Sequence, residues 1–267
     1  MNKNGIIVIL AALLLAGGAG YWFFFKEEPK ENNPKTEEVV DETESNKEVD
    51  QPVADTSSQD SKLLEPFYQA WSIQNLDEAE NIINTLVKEH PQNVRFHLEA
   101  ANLYFSKDGS PDRSIQLLEA FTKNSKDVQS WNELGYYYIL MYKAEFYPKA
   151  VDTLKTALNL AAEQKLQDVA FIQANYAQAL TLNGQAKEAI AIYEQEVFKA
   201  PEDTFKHLQH RLNYAIALQV DGQSAKAIQV LQDILAIDEN SIQDERVKQE
   251  LPYTKDAASE VLQQFQG

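Results

Sequence analysis

From Leu63 onward, apolar residues recur three and four positions apart, and Asn, Gly, Pro and Asp separate the apolar segments. That period gathers apolar side chains on one stripe of a helix, so the pattern predicts a succession of amphipathic helices. No stretch shows a convincing strict alternation of apolar and polar residues, and the turn residues lack the rhythm of a sandwich, so strands are not expected. The helical segments also resemble one another. Leu-Asp-Glu-Ala-Glu-Asn-Ile-Ile at 76–83, Gln-Ala-Lys-Glu-Ala-Ile-Ala-Ile-Tyr at 185–193 and Gln-Ser-Ala-Lys-Ala-Ile-Gln-Val-Leu at 223–231 each set a small residue ahead of a larger apolar one. The small anchors align as Ala79, Ser114, Ala150, Ala189 and Ala227, at spacings of 35, 36, 39 and 38. Their larger partners are Ile83, Leu118, Leu154, Tyr193 and Leu231. A small residue lets two helices approach closely, and the large one fills the adjacent hole.

The pattern resembles the tetratricopeptide repeat, a helix–turn–helix unit of about 34 residues. Trp131, Leu134, Gly135 and Tyr138 form the best first helix, followed by Ala150, Leu154 and Ala157 on the second. Tyr176, Ala177, Leu180, Gly184, Ala189, Tyr193 and Pro201 keep the frame, as do Tyr214, Ala215, Leu218, Gly222, Ala227 and Leu231. Two earlier units read Ala79, Ile83, Leu86, Pro91 and then Ala100, Ala101, Tyr104, Ser114, Leu118. The resemblance spans about residues 63–239. It implies an all-α, right-handed superhelix of about five helix–turn–helix repeats. Residues 240–267 continue as capping helices, broken at Pro252, with Leu251, Val261, Leu262 and Phe265 over the open end of the stack.

The chain before the repeats reads differently. Gly5 to Phe25 carries no charge and closes on Tyr21, Trp22 and three phenylalanines. As a helix it would extend about 31 Å, enough to span a bilayer core. A transmembrane anchor at 5–25 is therefore expected, with cleavage as a signal peptide near Ala16–Gly20 as the rival. Lys3 before the span, and mixed charges after it, favour a cytoplasmic N-terminus. The expected location is the bacterial inner membrane, single-pass, with the repeats in the periplasm. Residues 26–62 hold five lysines, twelve acids and three prolines, but no aromatic residue. Such a segment buries too little surface to offset chain entropy and reads as a disordered linker.

Net charge changes the list of partners. At −17 the chain is repelled by nucleic acid, which is not expected to bind. The absence of cysteine excludes disulfides, thiolate metal sites and cysteine nucleophiles. His207 and His210, with Glu202 and Asp203 nearby, have a spacing that metals use, but surface or partly buried histidines explain it more simply. His90 precedes Pro91 at a helix end, and His97 takes the place of the repeat's first aromatic. No phosphate-binding glycine loop, nucleophile elbow or zinc-protease helix occurs, so neither enzymatic activity, a metal nor a cofactor is expected.

The resemblance instead implies a concave groove, lined by first helices, that takes a protein or peptide. Its matching positions include Asn102, Asn175, Gln178 and Asn213, with Arg95, Gln129, Asn132, Tyr136 and Gln209 on the same face. Amides donate and accept together, which suits a peptide backbone; contact with neighbouring helices or water is the alternative. The paired basic residues of a carboxylate-gripping groove are missing, and Arg95 and Arg211 stand alone. Tyr136, Tyr137, Tyr138, Tyr142, Phe146 and Tyr147 cannot all face inward on one helix; the cluster is expected to be mostly core, Tyr138 most clearly, with an exposed recognition patch or packing against the long turn as the alternatives for the rest. The function implied is an extracytoplasmic scaffold or adaptor in envelope assembly or secretion. The alternatives are a periplasmic chaperone-like factor for exported polypeptides and a self-association module.

Overall fold

The computed structural model describes residues 56–198, 208–242 and 244–266, and among these it holds eleven α-helices and no strand. They pair into five units. α1 (Thr56–Ser72) and α2 (Leu76–Glu89) form the first, α3 (Val94–Asp108) and α4 (Asp112–Thr122) the second, α5 (Val128–Leu140) and α6 (Tyr147–Glu163) the third. α7 (Ala170–Leu182) and α8 (Ala186–Ile192), which runs into a π-helical turn at Tyr193–Val197, form the fourth. α9 (Leu208–Val220) and α10 (Ser224–Leu235) form the fifth, and α11 (Glu245–Gln266) closes the stack.

Local chemistry sets several boundaries. Asn75, Asn93 and Asp127 cap α2, α3 and α5 by accepting from the amides of Glu78, Phe96 and Ser130. Each hairpin then turns through a left-handed residue: Gly109, Gly184 and Gly222 in three units, Gln74 and Tyr142 in the other two. Glycine adopts that conformation without the Cβ clash the other two must bear.

The anchor pattern is the core of the stack. All five small anchors and all five larger partners are fully buried. Ser114 is the one polar anchor, and its hydroxyl donates to the Ala101 carbonyl on α3 at 2.6 Å. Where α5 meets α6, Gly135 lies so close that a Cβ on it would stand 2.5 Å from Cγ of Leu154. First helices of successive units touch one another in the series α3, α5, α7, α9, α11, whereas second helices of neighbouring units come together less. A stack packed this way curves with its first helices inside. α11 covers the last unit by setting Ala257, Ala258 and Val261 against Leu212, Ala215, Ile216, Leu231 and Ile234.

Several expectations need correction. The chain was expected to be a single-pass inner-membrane protein. Among the described residues no helix is long and apolar enough to cross a membrane. The longest, α11, carries Glu245, Lys248, Glu250, Lys255, Asp256 and Glu260 along its length. The segment 5–25 lies outside the described residues, as do 26–55 of the expected linker. α1 begins at Thr56, inside the stretch assigned to that linker, and two of its polar residues have partners on α3 or its cap: Asp60 accepts from Asn93 and Ser61 from Arg95. α11 also runs unbroken through Pro252, held by buried Leu251, Thr254, Ala257 and Ala258 on either side.

Candidate binding face

The inner layer is built from equivalent positions of successive first helices. Superposing Ala100–Ala101, Leu134–Gly135, Tyr176–Ala177 and Tyr214–Ala215 aligns three rows across α3, α5, α7 and α9. The first row is Arg95, Gln129, Phe171 and Gln209. The second is Glu99, Glu133, Asn175 and Asn213. The third is Asn102, Tyr136, Gln178 and Ile216. Helical periodicity puts the three positions on one face, one turn apart.

Most of the expected groove residues lie in these rows, but the structure treats them differently. Gln129 is exposed, while Arg95, Asn102 and Gln209 are half-buried. Tyr136, Asn175, Gln178 and Asn213 are buried. Asn132 falls outside the rows, on the flank of α5, where it accepts from Nδ2 of Asn175 at 3.0 Å. That amide pair ties α5 to α7, so Asn132 serves the contact between helices. Asn102 accepts from the Tyr137 hydroxyl at 2.8 Å, tying α3 to α5. Arg95 donates to Ser61 at 2.9 Å.

Gln178 is the exception. It is 3% exposed, and its Nε2 has no hydrogen-bond partner among the described residues. Nε2 of Gln209, at the start of α9, is likewise without one. A buried donor left unmade costs about 1–3 kcal/mol. Both amides belong to the inner rows, so an acceptor arriving on this face would relieve that cost.

Two carboxylates on the face escaped the sequence analysis. Glu99 and Glu133 occupy the row of Asn175 and Asn213, and the repeat frame itself was the signal that would have shown them. Burial raises the Glu99 carboxyl above its usual range, opposed by the hydrogen bond from Tyr68 and by the nearby Arg95. Glu133 is buried on α5 beside Tyr136 and Tyr137, whose hydroxyls burial pushes far up. The half of the face nearer α3 thus carries Glu99, Glu133, Arg95 and Tyr136, and the half nearer α9 is amide-rich.

The tyrosine cluster lies mostly in the core, with Tyr138 inside it. Tyr136, Tyr137, Tyr138 and Tyr147 are all buried, with Tyr142 and Phe146 half-buried against them. Three consecutive residues can all be buried because α5 is surrounded by α3, α4, α6 and α7. Trp131 is half-buried and donates its indole N–H to the Ser125 carbonyl at 3.0 Å.

The histidines have structural surroundings. His97 stacks on Phe121 at 4.1 Å between ring centres, and His90 meets Phe96 edge-on at 5.4 Å. His210 is buried against Phe171. His207, Glu202 and Asp203 lie outside the described residues. Among the described residues no group of three metal-ligating side chains comes together. Arg211 lies 5.8 Å from the Phe198 ring centre, and burial lowers the pKa of its guanidinium.

The family profile described as tetratricopeptide repeat matches residues 68–128, from α1 to the start of α5. These are tetratricopeptide repeats. The small anchors and their partners extend the same frame through the later units to α10. No curated protein matches the chain. Among solved structures, the chain is similar to the crystal structure of a MamA protein. That similarity has a TM-score of 0.48 and 16% identity, covering 64% of this chain and 87% of the other. Tetratricopeptide repeats, matched at residues 68–128, imply a protein-interaction scaffold.

Proposed function

We propose that the inner face of the first helices binds an extended peptide segment of a protein partner and performs no chemistry of its own. The buried Gln178 amide carries the reading, because its donor finds no acceptor among the described residues. A carbonyl of an extended backbone, which in that conformation has no partner of its own, supplies one. Gln209 offers a second unmatched amide donor on α9, the next first helix of the series. Asn213 and the half-buried Asn102 stand in the rows beside them.

Photoreactive residues test the reading in the native host. Replacements at Gln129 and Gln209, in the first inner row, are compared with replacements at Lys155 and Gln232 on the second helices. Discrete adducts at the two inner sites alone support the face and name the partner. Adducts to many exported polypeptides at those sites support the chaperone-like form of the same reading. Equal labelling at inner and outer sites overturns it.

A further inference from the structure

Three of the four junctions between repeats carry the same latch on their outer side. Between the first and second units, the Tyr104 hydroxyl donates to Asn84 at 2.5 Å, and the Arg113 guanidinium lies 3.9 Å over the Tyr104 ring. Arg113 also pairs with Glu80. Between the second and third, the Tyr138 hydroxyl donates to Glu119 at 2.5 Å, with the Lys149 ammonium 5.6 Å from the ring centre. Between the fourth and fifth, Glu194 accepts from both Tyr214 and Lys226 at 2.5 Å, and Lys226 lies 5.5 Å from the Tyr214 ring centre. The acceptors Asn84, Glu119 and Glu194 sit at one place after the small anchors Ala79, Ser114 and Ala189. The cations Arg113, Lys149 and Lys226 each directly precede an anchor, at Ser114, Ala150 and Ala227.

The junction between the third and fourth units has the same frame with its charges exchanged. Lys155 takes the acceptor's place after Ala150, Glu188 takes the cation's place before Ala189, and Tyr176 stands between them. Among the described residues no hydrogen bond or ion pair joins the three, and Glu188 accepts from its neighbour Gln185 instead. What holds this junction is the inner Asn132–Asn175 hydrogen bond and apolar packing, of Ile172 against Val128, Ala157, Leu160 and Ala161 and of Ala174, Ala177 and Leu180 in the core they share with Ala150, Val151 and Leu154. Apolar contact is non-directional and tolerates small rotations, whereas hydrogen bonds weaken steeply with angle.

We infer that the unlatched junction between α6 and α7 is the hinge of the stack, pivoting on the inner Asn132–Asn175 pair so that the outer side opens and closes. Bending there changes the separation of Tyr136 from Gln178 across the inner face, and with it the width available to a bound segment. The latched junctions on either side keep the first three units and the last two as separate stiff bodies.

The absence of cysteine makes the hinge directly measurable, because engineered cysteines take nitroxide labels at chosen sites only. A pair at Asn159 and Gln195 spans the unlatched junction, and a pair at Ala120 and Asn159 spans the latched one before it. All three positions are exposed. Pulsed electron–electron distance measurements on the full chain are expected to give a distribution about twice as broad across the unlatched junction. The double substitution Lys155→Glu with Glu188→Lys restores the charge order of the other junctions and is expected to narrow it to the control width. Both substituted sites are exposed, and thermal melts confirm that the variants fold. Equal widths in the unsubstituted chain overturn the hinge, and a broad distribution unchanged by the double substitution overturns the latch as its cause.

Discussion

His97 shows how a single side chain couples the repeat core to solution conditions. It fills the position where the repeat expects its first aromatic, stacked on Phe121, with its Nδ1 bound to the Asn93 carbonyl at 2.8 Å. Burial holds its pKa below the ordinary imidazole value, and outweighs the opposing pull of the carbonyl. The unfolded chain therefore binds a proton that the folded one resists. Stability from this group is complete above about pH 6.5 and is lost as pH falls through the lower, folded value. Denaturant titrations from about pH 7.5 down to about pH 5.5 read this as a falling midpoint. His97→Phe keeps the stacking and removes the proton, so its midpoint is expected to fall less over the same range. Parallel curves for the two proteins would show that His97 does not titrate this way. Position and packing role were legible in the sequence, since the repeat frame puts His97 where an aromatic belongs. The depressed pKa depends on the enclosure by α4, which the sequence does not state.

At the scale of elements, the five hairpins solve one problem with different residues. Each needs a left-handed turn, and glycine provides it at Gly109, Gly184 and Gly222. Gln74 bears the same conformation at φ 61° with an exposed side chain. Gln74→Gly removes the Cβ clash at the expense of a floppier unfolded chain, and is expected to stabilise the fold by about 0.5–1 kcal/mol. An unchanged or lowered denaturation midpoint would contradict this. The same change at Tyr142 differs, because its half-buried ring packs on the core. The glycine turns were visible in the sequence as breaks between apolar segments. The turns at Gln74 and Tyr142 were not, because nothing in those residue types signals a positive φ. The anchors were legible because close helix packing restricts residue size at every repeat. The three buried tyrosines of α5 were not, because a single helix's periodicity cannot reveal neighbours on all its sides.

Over the whole molecule, the inner face is where sequence and structure diverge in a useful way. The repeat frame brought most of the expected residues to one face. It could not separate Asn132 and Asn175, which satisfy each other between helices, from Gln178, whose amide donor is left unmatched among the described residues. Only side-chain geometry makes that distinction, and it also adds Glu99 and Glu133. An amide whose donor is unmatched in the free chain contributes little to folding and gains on binding, so function and stability should separate at Gln178. The deciding measurement is the affinity of the chain and of its Gln178→Leu variant for the peptide segment mapped by the inner-face crosslinks, with the melting temperature of each. The account predicts about tenfold weaker binding for the variant, with a melting temperature unchanged or raised. Undiminished affinity, or a loss of affinity that only follows a loss of stability, would contradict it.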